Sequence, residues 1–375
     1  MGTILDYLNW RMDVPLRVAP FNPVDNLILC VLAYLPLEGC EGKTIAEVSP
    51  VVCAREQNAS YRELMRLMGQ GTRFGSMRLV SFWDHFSEEE EKQFAAVTAA
   101  LGDGTSYVAF RGTDATLVGW KEDFNMGFAD VVPAQTESVR YLDEVAGLVD
   151  GALRVGGHSK GGNLAVYAAL FSEDSVRARI REIFNNDGPG LTKRMQDCPV
   201  YLGVEPRVKT YLPQTSIIGM LMEHSESYQV VRSEGFGIMQ HDPFTWQAAR
   251  DDFIKEGGLR AGSLYVDKTI KQWVSSVSTE DRRAFIEAVY RILSSTGAKS
   301  VNDLLAGWRK NLAAILTETS GFDPETRKLL RRVVGLLFAS GAKNLVPIGQ
   351  PRERGADAHG RSVQPPSEDP KAGNA

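Results

Sequence analysis

The chain has 375 residues, enough for a full α/β core with residues left over for accessory helices or a second small domain. Its 43% hydrophobic and 24% charged residues are ordinary for a globular protein, and a net charge of −5 gives no reason to expect nucleic acid or an anionic membrane as partner. Four cysteines (Cys30, Cys40, Cys53, Cys198) without C-x-x-C spacing indicate neither a zinc site nor a redox pair, but buried or free thiols in a reducing compartment.

Residues 1–60 read as a helical extension packed on the core. Phe21-Asn22-Pro23-Val24-Asp25-Asn26 leads into an apolar run over 27–35, a buried helix with Asn22 as its cap and Pro23 in its first turn. The apolar stretch 27–37 is too short to span a bilayer and follows Asp13 and Asp25 rather than a basic segment, so neither a membrane span nor a secretory signal is expected. The expected location is cytoplasmic. Thr44-x-x-Glu47 forms a capping box for a short helix.

Residues 61–268 read as the α/β core. A helix is expected over 61–68 and an alternating strand over 77–83. Ser87-x-x-Glu90 opens a helix through Phe94, Ala95, Val97 and Leu101, and Gly102-Asp103-Gly104 turns the chain. A strand over 106–110 then ends in Arg111-Gly112-Thr113-Asp114, and residues 143–149 are expected to be helical.

The core is organised around Gly157-His158-Ser159-Lys160-Gly161-Gly162, which an apolar strand enters and an Ala/Leu/Val/Tyr-rich helix leaves. Strand, sharp turn and buried helix are the setting of a nucleophile elbow, with serine at the top of a sheet. Side chains at 157 or 161 would collide where the helix crosses back over its strand. A phosphate-binding turn is the bland alternative, but neither Gly-Lys-Ser/Thr nor G-x-G-x-x-G is present there. Further strands are expected over 180–185 and 208–213, the first ending in Asp187-Gly188-Pro189-Gly190, and a hairpin over 228–239 through Gly235. Strands alternating with helices around such an elbow indicate a mostly parallel sheet in an α/β-hydrolase arrangement. Three capped amphipathic segments over 278–293, 300–316 and 323–339 form a helical appendage within 269–345, and the Pro-, Gly- and charge-rich stretch 346–375 is expected to be disordered.

A serine nucleophile needs a histidine base and an acid to orient it. His158 lies inside the elbow, where its backbone keeps it from serving Ser159. His85 precedes the elbow and His359 lies in the tail. Of the other two, His224 reads as the end of an apolar helix, whereas His241 sits in a loop after a strand, where this architecture presents its base. Asp187 ends the strand after the elbow helix and is the leading acid, against an Asx-turn role in its own loop; Asp242 and Glu223 stay open as alternatives. Oxyanion donors would be the N–H groups of Lys160 and Thr113. Arg111 reads as an ion-pair partner for Asp114 or Asp123.

Together, Phe110-Arg111-Gly112-Thr113-Asp114, Trp120-Lys121-Glu122-Asp123 and Gly157-His158-Ser159-Lys160-Gly161-Gly162 resemble the class 3 (fungal-type) lipases over residues 75–245; with Phe21-Asn22-x-x-Asp25-Asn26-Leu27-Ile28-Leu29, Asp187-Gly188-Pro189-Gly190 and Gln240-His241-Asp242-Pro243, the whole chain resembles the bacterial Mbeg-like proteins. The resemblance implies an α/β-hydrolase cleaving a carboxylic ester, a lipid or lysophospholipid, with an oxyanion residue at Thr113 and no metal or organic cofactor. It also implies an acid after the strand ending at Gln214-Thr215-Ser216, where this chain has none, and leucine where it has Lys160. Two other functions share the same serine or cleft: a catalytically silent scaffold that binds a ligand or partner, and a thioesterase or acyltransferase.

Overall fold

A computed structural model describes residues 2–260, apart from 88, 90–91, 114–125, 127–130, 217, 221, 223 and 236, together with 324, 327 and 328. The segment 120–123, the alternative acid Glu223, the tail and, but for those last three residues, the C-terminal helical segments lie outside the described residues.

Seven strands form one sheet whose spatial order follows the sequence. They are β1 (Arg78–Ser87), β2 (Lys92–Ala100), β3 (Thr105–Phe110), β4 (Ala152–His158), β5 (Ile180–Asn186), β6 (Val208–Pro213) and β7 (Tyr228–Val231). The pairs β1–β2 and β2–β3 are antiparallel, and β3 through β7 are parallel. This is the mostly parallel sheet of an α/β-hydrolase fold. When strand order follows chain order, right-handed crossovers all fall on one face and leave the other bare. The chain covers that second face with its N-terminal helices: α1 (Ile4–Arg11), α2 (Pro23–Leu32), α3 (Ile45–Arg55), α4 (Ala59–Gln70) and α5 (Thr72–Gly75).

Side-chain alternation divides the core accordingly. Val97, Ala99, Tyr107, Ala109 and Phe184 pack with the N-terminal helices. Phe94, Ala96, Val108, Phe110, Val155 and Ile183 pack on the other face with α6 (Pro133–Ala146) and α7 (Lys160–Phe171). Helix α6 thus begins ten residues before the expected helix and ends at Ala146.

The N-terminal motif has a local explanation. Asn22 Oδ1 accepts from the N–H groups of Val24 and Asp25, and Asp25 returns a carboxylate to Asn22 N–H (3.0 Å). Asp25 is fully buried against the guanidinium of Arg73, whose Nε lies 2.7 Å from Oδ1, and it also accepts from the Tyr7 hydroxyl (2.9 Å). Arg73 uses its other N–H groups on the carbonyls of Val14, Ala19 and Pro20. The entry to α2 is thereby fixed to α1 and α5. The capping box at Thr44 and Glu47 opens α3 as expected.

Three expectations are overturned. Residues 92–100 are a strand, not a helix: the alanine-rich sequence favours a helix locally, but pairing on both edges and burial on both faces decide the outcome. There is no hairpin over 228–239: β7 pairs parallel with β6, and Gly237–His241 is a 3-10 turn. A Cβ on Gly235 would lie 2.6 Å from Met239 O, so the chain folds back tightly there instead of running straight. Finally, none of the described residues around His224 (218–220, 222, 224 and 225) is helical, and its buried ring contacts Glu226 (2.8 Å, Nδ1) and Gly219 O.

Candidate active site

Strand register alone brings three loops together. His158 of β4 pairs with Asn186 of β5, so Ser159 and Asp187 leave adjacent parallel strands at the same level. Phe110 of β3 pairs with Gly157, which places Gly112 beside Ser159 on the other side. A Cβ on Gly112 would lie 2.9 Å from Ser159 Cβ and 2.5 Å from His158 O, so the Arg111-Gly112-Thr113 loop crosses directly over the elbow. All three loops lie at the carboxyl edge of the sheet, where open α/β sheets bind ligands.

Ser159 has φ 60° and ψ −134°, a conformation that non-glycine residues rarely adopt and that costs about 1–3 kcal/mol. The glycines around it are dictated by close approach. A Cβ on Gly157 would meet the Gly161 backbone at 2.1 Å, as expected of a helix crossing back over its strand. At Gly161 it would meet Phe110 O at 2.1 Å, and at Gly162 Asn185 Oδ1 at 2.1 Å. The helix is therefore wedged against both neighbouring strands as well as its own.

Asp187 is fully buried and also has positive φ (53°). Its Oδ2 lies 2.7 Å from His241 Nδ1, and its Oδ1 accepts from the Ser216 hydroxyl. The turn-closing bond that the alternative reading gave to Asp187 is made by Asn185, whose Oδ1 accepts from Gly188 N–H (2.9 Å). Asn186, just before Asp187, holds Gly157 O with its Nδ2 (3.0 Å) and accepts from Asn26 Nδ2 of α2 (2.9 Å). The other open acid, Asp242, accepts from Phe244 N–H (3.0 Å) and caps the next turn.

His241 is held by residues that sequence reasoning missed. Gln240 Oε1 accepts from Thr215 N–H (2.8 Å) and Thr215 Oγ1 (2.6 Å), and Gln240 Nε2 donates to Gly235 O (3.0 Å). The Trp246 indole donates to Gln240 O (2.9 Å). Gln214-Thr215-Ser216, where no acid stands, therefore anchors both the His241 loop and Asp187. The signal was present: Gln240 and His241 are adjacent, and three hydrogen-bonding side chains follow β6.

Of the expected oxyanion donors, Thr113 carries a buried hydroxyl with no hydrogen-bond partner among the described residues. Lys160 opens α7, and its buried side chain reaches β2, where Nζ donates to Gln93 O (2.8 Å). Arg111 pairs through both terminal nitrogens with Asp84 (2.8 and 2.9 Å); the partners expected for it, Asp114 and Asp123, lie outside the described residues. Asp84 lies on β1, across the sheet from the Arg111 loop. His158, set aside as a base, lies with its ring 4.6 Å from that of His241. Burial, then the neighbouring His241, hold its pKa well below the usual histidine range, so it is neutral at physiological pH. Among the described residues no group of three or more His, Cys, Asp or Glu could hold a metal ion, and no helix is long and apolar enough to cross a membrane.

The family model described as Mbeg1-like matches residues 68–291, which take in β1 to β7 and all three loops. The chain belongs to the Mbeg1-like family. Among solved structures it is similar to M37 lipase, with 14% identity, a TM-score of 0.35 and coverage of 52% of this chain and 68% of that one. It is also similar to a fungal lipase solved as an inhibitor complex in a study of interfacial activation, with 11% identity, a TM-score of 0.36 and coverage of 56% and 80%. No curated protein matches the chain. The N-terminal helices up to Leu67 precede the matched Mbeg1-like region, yet they supply Asn26 and Tyr34 to its loops.

Proposed function

We propose that this Mbeg1-like chain is a serine hydrolase of carboxylic esters, with Ser159 as nucleophile, His241 as base and then acid, and Asp187 as the orienting carboxylate. The observation that carries it is the 2.7 Å bond from His241 Nδ1 to Asp187 Oδ2 at the sheet edge where Ser159 occupies its strained turn. Asp187 fixes the tautomer in which Nδ1 bears the proton, leaving Nε2 to accept one from Ser159 Oγ. The serine oxygen attacks the ester carbonyl and the tetrahedral oxyanion settles on the N–H groups of Thr113 and Lys160, the Thr113 hydroxyl nearby. His241 then returns the proton to the leaving alkoxide, and water, activated the same way, hydrolyses the acyl-enzyme. The substrate proposed is a small-molecule ester or lipid, the setting proposed is cytoplasmic, and the chemistry needs no metal or organic cofactor.

Hydrolysis of a p-nitrophenyl ester series tests the assignment. Ser159→Ala and His241→Ala are each expected to lower kcat by about 10⁴-fold or more, and Asp187→Asn by about 10³- to 10⁴-fold. Equal activity of wild type and Ser159→Ala would sink the proposal. A parallel thioester series that turned over faster would move the substrate class to thioesters with the same residues.

A further inference from the structure

We propose that Tyr34 and His158 are positioning residues that join the oxyanion loop, the nucleophile turn and the base loop into one hydrogen-bonded unit; this rests on the serine-hydrolase reading of the site. His158 Nε2 lies 2.7 Å from His241 O. A carbonyl can only accept, so Nε2 carries the proton. In the neutral ring Nδ1 is then an acceptor, and the Tyr34 hydroxyl, 3.2 Å away, donates to it. The same hydroxyl oxygen accepts from Gly112 N–H (3.1 Å). One chain of bonds thus runs from Gly112 through Tyr34 and His158 to the backbone of His241. His158 O lies 3.3 Å from the Tyr34 hydroxyl as a second acceptor, which ties Tyr34 to the elbow backbone as well.

The fit around the hydroxyl is close: a Cβ on Gly112 would lie 2.3 Å from Tyr34 Oη. Because Gly112 N–H is taken by Tyr34, the peptide preceding Gly112 is held in place, one residue before the Thr113 N–H. His158 remains uncharged while His241 becomes an imidazolium during the reaction, so the two neighbouring, mutually tilted rings do not repel each other. Tyr34 comes from the turn after α2, outside the region matched by the family model. Removing its hydroxyl leaves its ring packing but releases the oxyanion loop from the base loop.

The test is steady-state hydrolysis of p-nitrophenyl butyrate together with inhibition by phenylboronic acid, whose serine adduct mimics the tetrahedral intermediate. Tyr34→Phe is expected to lower kcat about 10- to 100-fold with KM within about twofold, because sub-ångström misplacement acts on the transition state. Boronate affinity should fall in parallel, while the protein still unfolds cooperatively at a modestly lower temperature. His158→Gln, which keeps a donor near the Nε2 position, should retain at least about tenfold more activity than His158→Ala. Wild-type kcat and boronate affinity in Tyr34→Phe would overturn the proposal while leaving the hydrolase reading intact. A wild-type protein that neither turns over ester nor reacts with a fluorophosphonate would overturn the hydrolase reading, and the proposal with it.

Discussion

At the residue scale the site is a set of buried polar groups whose partners come from neighbouring loops. The fully buried Asp187 carboxylate has His241 on one oxygen and Ser216 on the other. Ser216→Ala removes a donor to a buried charge and is expected to reduce stability by about 1.5–3 kcal/mol. It should also slow ester turnover about tenfold, measured by urea unfolding and kcat on the same protein. His158 gives a pH signature. It is neutral in the fold but titrates near the ordinary histidine value, about 6.5, in the unfolded chain. Below that pH the unfolded state binds a proton that the folded state refuses. Its contribution is therefore complete above about pH 6.5 and lost as pH falls, by at most about 1.4 kcal/mol per pH unit. Unfolding free energies between pH 5 and 7 should have a shallower slope in His158→Gln than in wild type; identical slopes would contradict a neutral His158. Neither Tyr34 nor His158 was legible as a positioning residue, because their bonds span 78, 124 and 83 residues of sequence and leave no local pattern.

At the element scale, what was legible was local chemistry. Asn22, Pro23 and Asp25 announce the start of α2, and the capping box announces α3, because caps are satisfied within three residues. The glycines at 157 and 161 announce the elbow for a steric reason that the structure bears out. What failed was decided by distant pairing. Phe94-Ala95-Ala96-Val97 is a good helix sequence that becomes a central strand once β1 and β3 flank it. β7 looked like half of a hairpin, but β6 had already supplied a parallel partner. The Asp25–Arg73 pair shows why the α2 motif extends beyond the cap: it clamps the helix that carries Asn26 and leads into Tyr34. Arg73→Leu would leave Asp25 as a buried charge without its counter-charge. A loss of about 3–5 kcal/mol is expected on chemical denaturation, with the transition midpoint shifted and the slope preserved.

For the whole molecule, sheet order explains the architecture. A sheet whose strands follow the sequence leaves one face uncovered by its own crossovers, and α1 to α5 bury it. These helices are thus part of the core and not a detachable arm. A chain beginning at residue 76 would expose Val97, Ala99, Tyr107, Ala109 and Phe184 together, and it is expected to aggregate. Recovery of a soluble, monomeric, cooperatively unfolding 76–375 protein by size-exclusion chromatography and thermal melting would contradict this.

The central claim is that the hydroxyl of residue 159 is activated by the imidazole of residue 241. Intact-protein and peptide mass spectrometry after brief exposure to a fluorophosphonate tests it most directly. The account predicts a single adduct on the peptide containing Ser159, absent in Ser159→Ala and slowed at least a hundredfold in His241→Ala; an adduct elsewhere, or one formed equally fast without His241, would contradict it.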